Sequence, residues 1–261
     1  MSTITIGVLA LQGAFHEHIV LLDQAARTIS ATSTGPQPQF AFVEVRTAGE
    51  LAQCSALVLP GGESTSISLI AERTGLLEPL RDFVKVQRKP VWGTCAGLIL
   101  LAESANKSKA QGQELIGGLD VRVHRNYFGR QVESFEANLD LPFLGPGEHF
   151  PTVFIRAPVV EKVLSTADGP EVVDESTVMA PARSPTKAQV EILARLPGRA
   201  RALRDQTVTA EDLGEEGDIV AVRQGNVFGI AFHPELTADP RIHAWWLGEV
   251  VQSVGFQPDV M

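Results

Sequence analysis

The chain has 261 residues, 44% of them hydrophobic, with 22 Lys or Arg against 31 Asp or Glu and a formal charge of −9. That is enough for one large α/β domain with a sizeable core, and the acidic balance speaks against a nucleic-acid partner. Two cysteines, Cys54 and Cys95, exclude a disulfide scaffold and favour a reducing, cytoplasmic setting.

The opening MSTITIGVLALQGAF lacks the basic start and long apolar core of a signal peptide, and its apolar run stops at Gln12-Gly13, short of a membrane span. Residues 4–11 form a continuous, branched-rich apolar run, as expected of a strand covered on both faces. Residues 13–26 have helical spacing, with Phe15, Ile19 and Leu22 on one side. A polar, Pro- and Gly-rich loop is expected at 31–39, and strands at 40–45 and 56–60. After Gly61-Gly62-Glu63 a helix is expected over 64–74, capped by Ser64 or Thr65. A further strand at 89–93 leads into a helix over 96–103. Strands and helices alternating at this interval predict βαβ units and a mostly parallel sheet.

Beyond residue 115 the pattern changes to strands and turns: 120–125, 132–137, 152–158 and 160–166. Residues 218–235 read as a hairpin turning at Gln224-Gly225-Asn226. A last helix is expected to start at Asp239 as N-cap with Pro240 at its first position. Residues 183–217, basic in the first half, acidic in the second and poor in aromatics, predict an exposed insertion.

The segment Gly93-Thr94-Cys95-Ala96-Gly97 has the form G-x-C-x-G, the thiol counterpart of the nucleophile elbow. In such a turn the nucleophile is held in a strained conformation between strand and helix, and small neighbours let the chain approach itself closely. The sulfur is lifted out of the sheet toward a helix N-terminus, which favours a thiolate. The N–H of Ala96 points to where an oxyanion could form. Taken alone, the pentapeptide fits a buried structural thiol as well, so the presence of a base matters.

Six histidines are available. His16 and His18, two apart on a helix, share no face and make a poor metal pair. His149 lies in a Pro- and Gly-rich loop and His243 inside the last helix. His233 ends an apolar strand and is followed by Pro234 and Glu235. If the segment is extended, Glu235 lies on the same side as His233 and can hold its ring in the tautomer a triad requires. Cys95 and His233 both stand past the carboxyl end of a strand, where open α/β sheets place their sites.

The segments GVLALQGAFHEH, LVLPGGEST, GTCAGLILLA, RNYFGRQVESFEA, FIRAP and FGIAFHPELT occur in this order. Together they closely resemble the glutaminase subunits of pyridoxal 5′-phosphate synthase, class I glutamine amidotransferases. The resemblance spans most of 4–170 and 218–250. It implies a flavodoxin-like three-layer α/β fold over a single domain, 1–261, with an open, mostly parallel sheet flanked by helices and additional antiparallel strands. It further implies hydrolysis of L-glutamine to L-glutamate and ammonia by Cys95, His233 and Glu235, without cofactor or metal. The ammonia would pass to a synthase subunit in a heteromeric complex.

By the same resemblance the oxyanion donors are Gly62 and Ala96, and glutamine is held by Gly62, Glu63, Ser64, Arg125, Ile155 and Arg156. Residue chemistry agrees in part: an arginine fork suits an α-carboxylate. Arg125 and Arg156 could equally form surface ion pairs, and Glu63 could bind an ammonium or merely cap the next helix. Gln12 and the following helix are partner-facing by resemblance alone. The stretches 31–39 and 171–217 are longer than in the compact members of the family, and interrupt none of these motifs. A glutaminase for another acceptor, a γ-glutamyl hydrolase, a silent binding subunit and a redox thiol remain as alternative readings.

Overall fold

The computed structural model describes residues 3–32, 38–107, 113–125, 127, 134–147, 149–164, 176–182, 186–196 and 217–255. β1 (Thr3–Leu9), β2 (Gln39–Val45), β3 (Ala56–Leu59) and β4 (Val91–Thr94) come first, separated by α1 (Phe15–Thr32), α2 (Ala48–Ala52), α3 (Ser64–Arg73) and α4 (Leu77–Arg81). A π-helical turn, Asp82–Val86, extends α4. After α5 (Ala96–Leu101) follow β5 (Ala102–Asn106), β6 (Leu119–His124), β7 (Ser134–Asp140), β8 (His149–Ile155) and β9 (Val159–Val163). β10 (Thr177–Met179), β11 (Val190–Leu196), β12 (Asp218–Gln224), β13 (Val227–Ile230) and α6 (Arg241–Ser253) complete the described chain.

Among the described residues eleven strands form one sheet, in the order β10-β5-β6-β9-β12-β13-β4-β3-β1-β2, with β11 beside β12. The segment β2-β1-β3-β4-β13 is parallel throughout. Its middle strands carry continuous apolar runs because helices cover both faces; every residue of β3, β4 and β13 is buried. The other half is chiefly antiparallel, and β7 with β8 forms a separate two-stranded sheet. The expected fold class is therefore the observed one. No helix among the described residues is long and apolar enough to cross a membrane.

Several boundaries differ from expectation. α1 continues to Thr32 and β2 begins at Gln39, so the ends of the predicted 31–39 loop belong to regular elements, while 33–37 lie outside the described residues. α5 ends at Leu101 and the next residues form β5, because Ala102–Asn106 pairs with β6 instead of prolonging the helix. Part of the predicted 183–217 insertion is β11, paired with β12 from Val190↔Gln224 to Leu196↔Asp218 and burying Ala194 and Leu196. Residues 197–216 lie outside the described residues. The hairpin turns at Gly225-Asn226, since Gln224 still pairs with Val227. α6 begins at Arg241 with Pro240 at the cap position, and the Asp239 carboxylate accepts the Arg241 N–H at 3.0 Å.

Candidate active site

The site forms where β4 hands over to α5. Cys95 has φ 46° and ψ −96°, outside the allowed space for an L-residue; holding it there costs about 1–3 kcal/mol, which surrounding structure must offset. The Cys95 N–H donates to Ile230 O at 2.8 Å, tying the turn to β13. The small neighbours are a packing requirement: a β-carbon on Gly97 would lie 2.1 Å from Leu59 O. Cys95 is buried, and its sulfur stands 3.9 Å from the carbonyl of Ile155 at the end of β8. Ala96 is the first residue of α5, and first-turn amides have no acceptor within their own helix.

His233 lies close enough to Cys95 for the sulfur to act on the charge of its ring. Its Nδ1 meets Glu235 Oε1 at 2.7 Å, and its N–H donates to Val153 O of β8 at 2.8 Å. The contact with Glu235 does not arise from an extended segment. β13 ends at Ile230, and Pro234–Leu236 is a 3₁₀ turn that folds the carboxylate back onto the ring. Burial disfavours a charged His233, but hydrogen bonds with Cys95 and Glu235, and their charges, outweigh it and push the pKa up to about 10. Burial likewise opposes ionisation of Glu235, yet His18 and His233 hold its carboxyl below its ordinary range.

The Gly61-Gly62 loop borders the imidazole, since a β-carbon on Gly61 would meet His233 Cε1 at 2.3 Å. Ala14 N–H donates to Gly61 O at 3.1 Å, and Glu63 N–H donates to Gln12 Oε1 at 2.7 Å. Glu63, not Ser64 or Thr65, caps α3, accepting from the N–H groups of Thr65 and Ser66 at 3.0 and 2.7 Å. The hydroxyls of Ser64 and Thr65 instead donate to Gln113 Oε1, each at 3.1 Å. Arg125 is buried just past β6, with its N–H on Asn106 Oδ1 at 2.8 Å. Burial lowers its pKa to about 10, while the charge of Glu63 acts to raise it. Arg156 is exposed, with a left-handed φ of 45°. Of the stretch RNYFGRQVE, residues 126 and 128–133 lie outside the described residues.

The structure thus brings Cys95, His233, Glu235, Ala96, the Gly61-Gly62 loop and the Ile155 carbonyl together. Sequence reasoning missed His18 and His243. Spacing alone sets His18 beside His16 as a poor metal pair, although position 18 shares a helical face with the buried Leu22 and Ala25. It is fully buried against Glu235.

Residues 8–194 and 186–252 match the SNO glutamine amidotransferase family. The chain belongs to this family. An Arabidopsis thaliana protein named probable pyridoxal 5′-phosphate synthase subunit PDX2 is 44% identical over 252 residues, 93% of this chain and 84% of its own. A pyridoxal 5′-phosphate synthase subunit PdxT of Parafrankia is 43% identical over 254 residues, 97% of this chain and 96% of its own. A solved glutamine amidotransferase, 35% identical, superposes with a TM-score of 0.63 over 94% of this chain and 98% of that one.

Proposed function

We propose that this chain is the glutaminase subunit of a pyridoxal 5′-phosphate synthase, hydrolysing L-glutamine and delivering ammonia to a synthase subunit in a heteromeric complex. The observation that carries this reading is the strained Cys95 turn beside His233, whose Nδ1 is held by Glu235 at 2.7 Å. The high identity to pyridoxal 5′-phosphate synthase subunits supports the choice of acceptor. The free, buried thiols of Cys54 and Cys95 fit a reducing cytoplasm.

In the proposed chemistry the Cys95 thiolate attacks the side-chain amide carbon of glutamine. The oxyanion forms against the N–H groups of Gly62 and Ala96. The C–N bond breaks as His233, protonated at rest, gives its proton to the departing ammonia. His233 then takes a proton from water, whose oxygen attacks the γ-glutamyl thioester and releases glutamate and the thiolate. Arg125 is the natural partner of the α-carboxylate and Glu63 of the α-ammonium, and the charge of Glu63 reaches Arg125. Ser64, Ile155 and Arg156 would complete the walls. Ala14 N–H holds the Gly61 carbonyl. Because carbonyl and N–H of a trans peptide point oppositely, reorienting the Gly62 donor breaks that one bond. Partner docking would drive this step, leaving the isolated chain a weak glutaminase.

The test is glutamine-dependent ammonia release by the chain with and without the synthase subunit. Stimulation by the subunit supports the reading. Equal full activity of the chain alone contradicts gating of the Gly61-Gly62 peptide, and stimulation by a different synthase contradicts the acceptor.

A further inference from the structure

The carboxylate of the His233–Glu235 pair has a second side that the mechanism above leaves unused. Oε1 meets His233, but Oε2 is buried without a hydrogen bond among the described residues. A buried carboxylate oxygen lacking a donor is unfavourable. The atom facing it, at 3.4 Å, is Nε2 of His18 on α1. The same nitrogen is 3.2 Å from Thr94 Oγ1, and Nδ1 of His18 is 3.1 Å from Nε2 of His243 on α6. Both rings are fully buried, packed edge-on against Trp92.

The surroundings select one placement of the hydrogens. With the hydrogen on Nδ1 of His18, its Nε2 lone pair would face the carboxylate. His243 would then have to accept at Nε2 and carry its own hydrogen on Nδ1, which is buried and has no partner among the described residues. With the hydrogen on Nε2 in both rings, His243 donates to His18, and His18 donates toward Glu235 while sharing that hydrogen with Thr94. The atom left over is a bare acceptor, and no N–H is stranded. Burial lowers both pKa values to about 3, so both rings are neutral near pH 7. The titratable groups acting on His18 are Glu235, His243 and His233.

We infer that His18 is a positioning residue whose Nε2–H holds the outer oxygen of Glu235, and that His243 selects the tautomer that allows it. A carboxylate anchored at one oxygen turns easily about its last torsion. Anchored at both, it fixes the plane of the His233 ring against the sulfur. Thr94, which shares the same donor, directly precedes Cys95, so one hydrogen ties the orienting carboxylate to the elbow. This inference rests on the glutaminase reading for its kinetic consequence but not for its geometry.

Two measurements on the full chain test it. In ¹⁵N–¹H spectra of histidine-labelled native protein at pH 7, His18 and His243 should be neutral and protonated at Nε2. A His18 that is charged, or carries its hydrogen on Nδ1, overturns the inference. In kinetics with the synthase subunit, His18→Leu should lower kcat for ammonia release tenfold or more, with KM changed less than twofold. His18→Gln, whose amide N–H can point at the same oxygen, should regain most of the loss. A His18→Leu enzyme with kcat within twofold of native, or a loss shared by KM that His18→Gln does not restore, overturns it. Should His18→Leu fail to fold, the spectra of the native chain decide. If the native complex releases no ammonia from glutamine, the glutaminase reading fails instead, and the spectra still judge the geometry.

Discussion

A methyl group on Gly61 would place a carbon 2.6 Å from Nδ1 of His233 and 3.2 Å from Oε1 of Glu235, in the middle of the bond that orients the ring. The ring must then move by about an ångström, and misplacement on that scale costs roughly a hundredfold in rate. Gly61→Ala is therefore expected to lower kcat about a hundredfold while the fold survives, as read by glutaminase kinetics beside circular dichroism. Native kcat in that variant would mean the imidazole is not confined by the loop. At this scale Cys95, His233 and Glu235 were legible because each is announced by its immediate neighbours: small residues around the sulfur, a proline between base and carboxylate. His18 and His243 were not, because their meaning lies in a contact across 225 positions, which no local spacing reveals.

Among the elements, α1 and the residue before it touch the site twice, through Ala14 N–H on the Gly61 carbonyl and through His18 of α1 behind Glu235. α3 owes its start to Glu63, whose carboxylate accepts from two backbone amides and from Ser66 Oγ. Removing such a cap costs about 1 kcal/mol. Glu63→Ala should therefore lower stability by about 1 kcal/mol in urea unfolding. If its carboxylate also meets the substrate ammonium, it should raise KM for glutamine; unchanged stability would mean that α3 starts without this cap. The buried parallel strands were legible from their unbroken apolar runs. β5 was not, since Ala102–Asn106 follows an apolar helix with no Gly or Pro between them, and only pairing with β6 and β10 makes it a strand. α2 carried a readable signal, the Thr47–Glu50 capping box, in a segment too short to show periodicity.

For the whole molecule, three histidines set opposing limits on stability. Between pH 6.5 and about 3 the unfolded chain binds protons at His18 and His243 that the folded chain refuses. Stability should fall with acid by up to about 1.4 kcal/mol per pH unit for each. Glu235, depressed in the fold, adds to this loss as pH drops below its ordinary 4.5. His233 acts oppositely: the folded chain keeps its proton up to about 10, so its contribution is complete below pH 6.5 and disappears as pH rises through that window. Urea midpoints measured from pH 4 to 9 should peak near 6.5, and a midpoint flat to pH 5 would contradict neutral burial of His18 and His243. The overall architecture was legible because alternating strand and helix patterns dictate a parallel sheet. The antiparallel extension was legible only as a run of strands, since its order depends on long-range pairing such as β9 with both β6 and β12.

The central claim is that a sulfur at position 95, served by the imidazole at 233, breaks the amide bond of glutamine. Its most direct test is ammonia release from L-glutamine by the chain assembled with the synthase subunit, native against Cys95→Ala. Native complex should release ammonia in step with glutamate, and the variant should be slower by roughly a thousandfold or more. A Cys95→Ala complex that keeps the native rate would contradict the account.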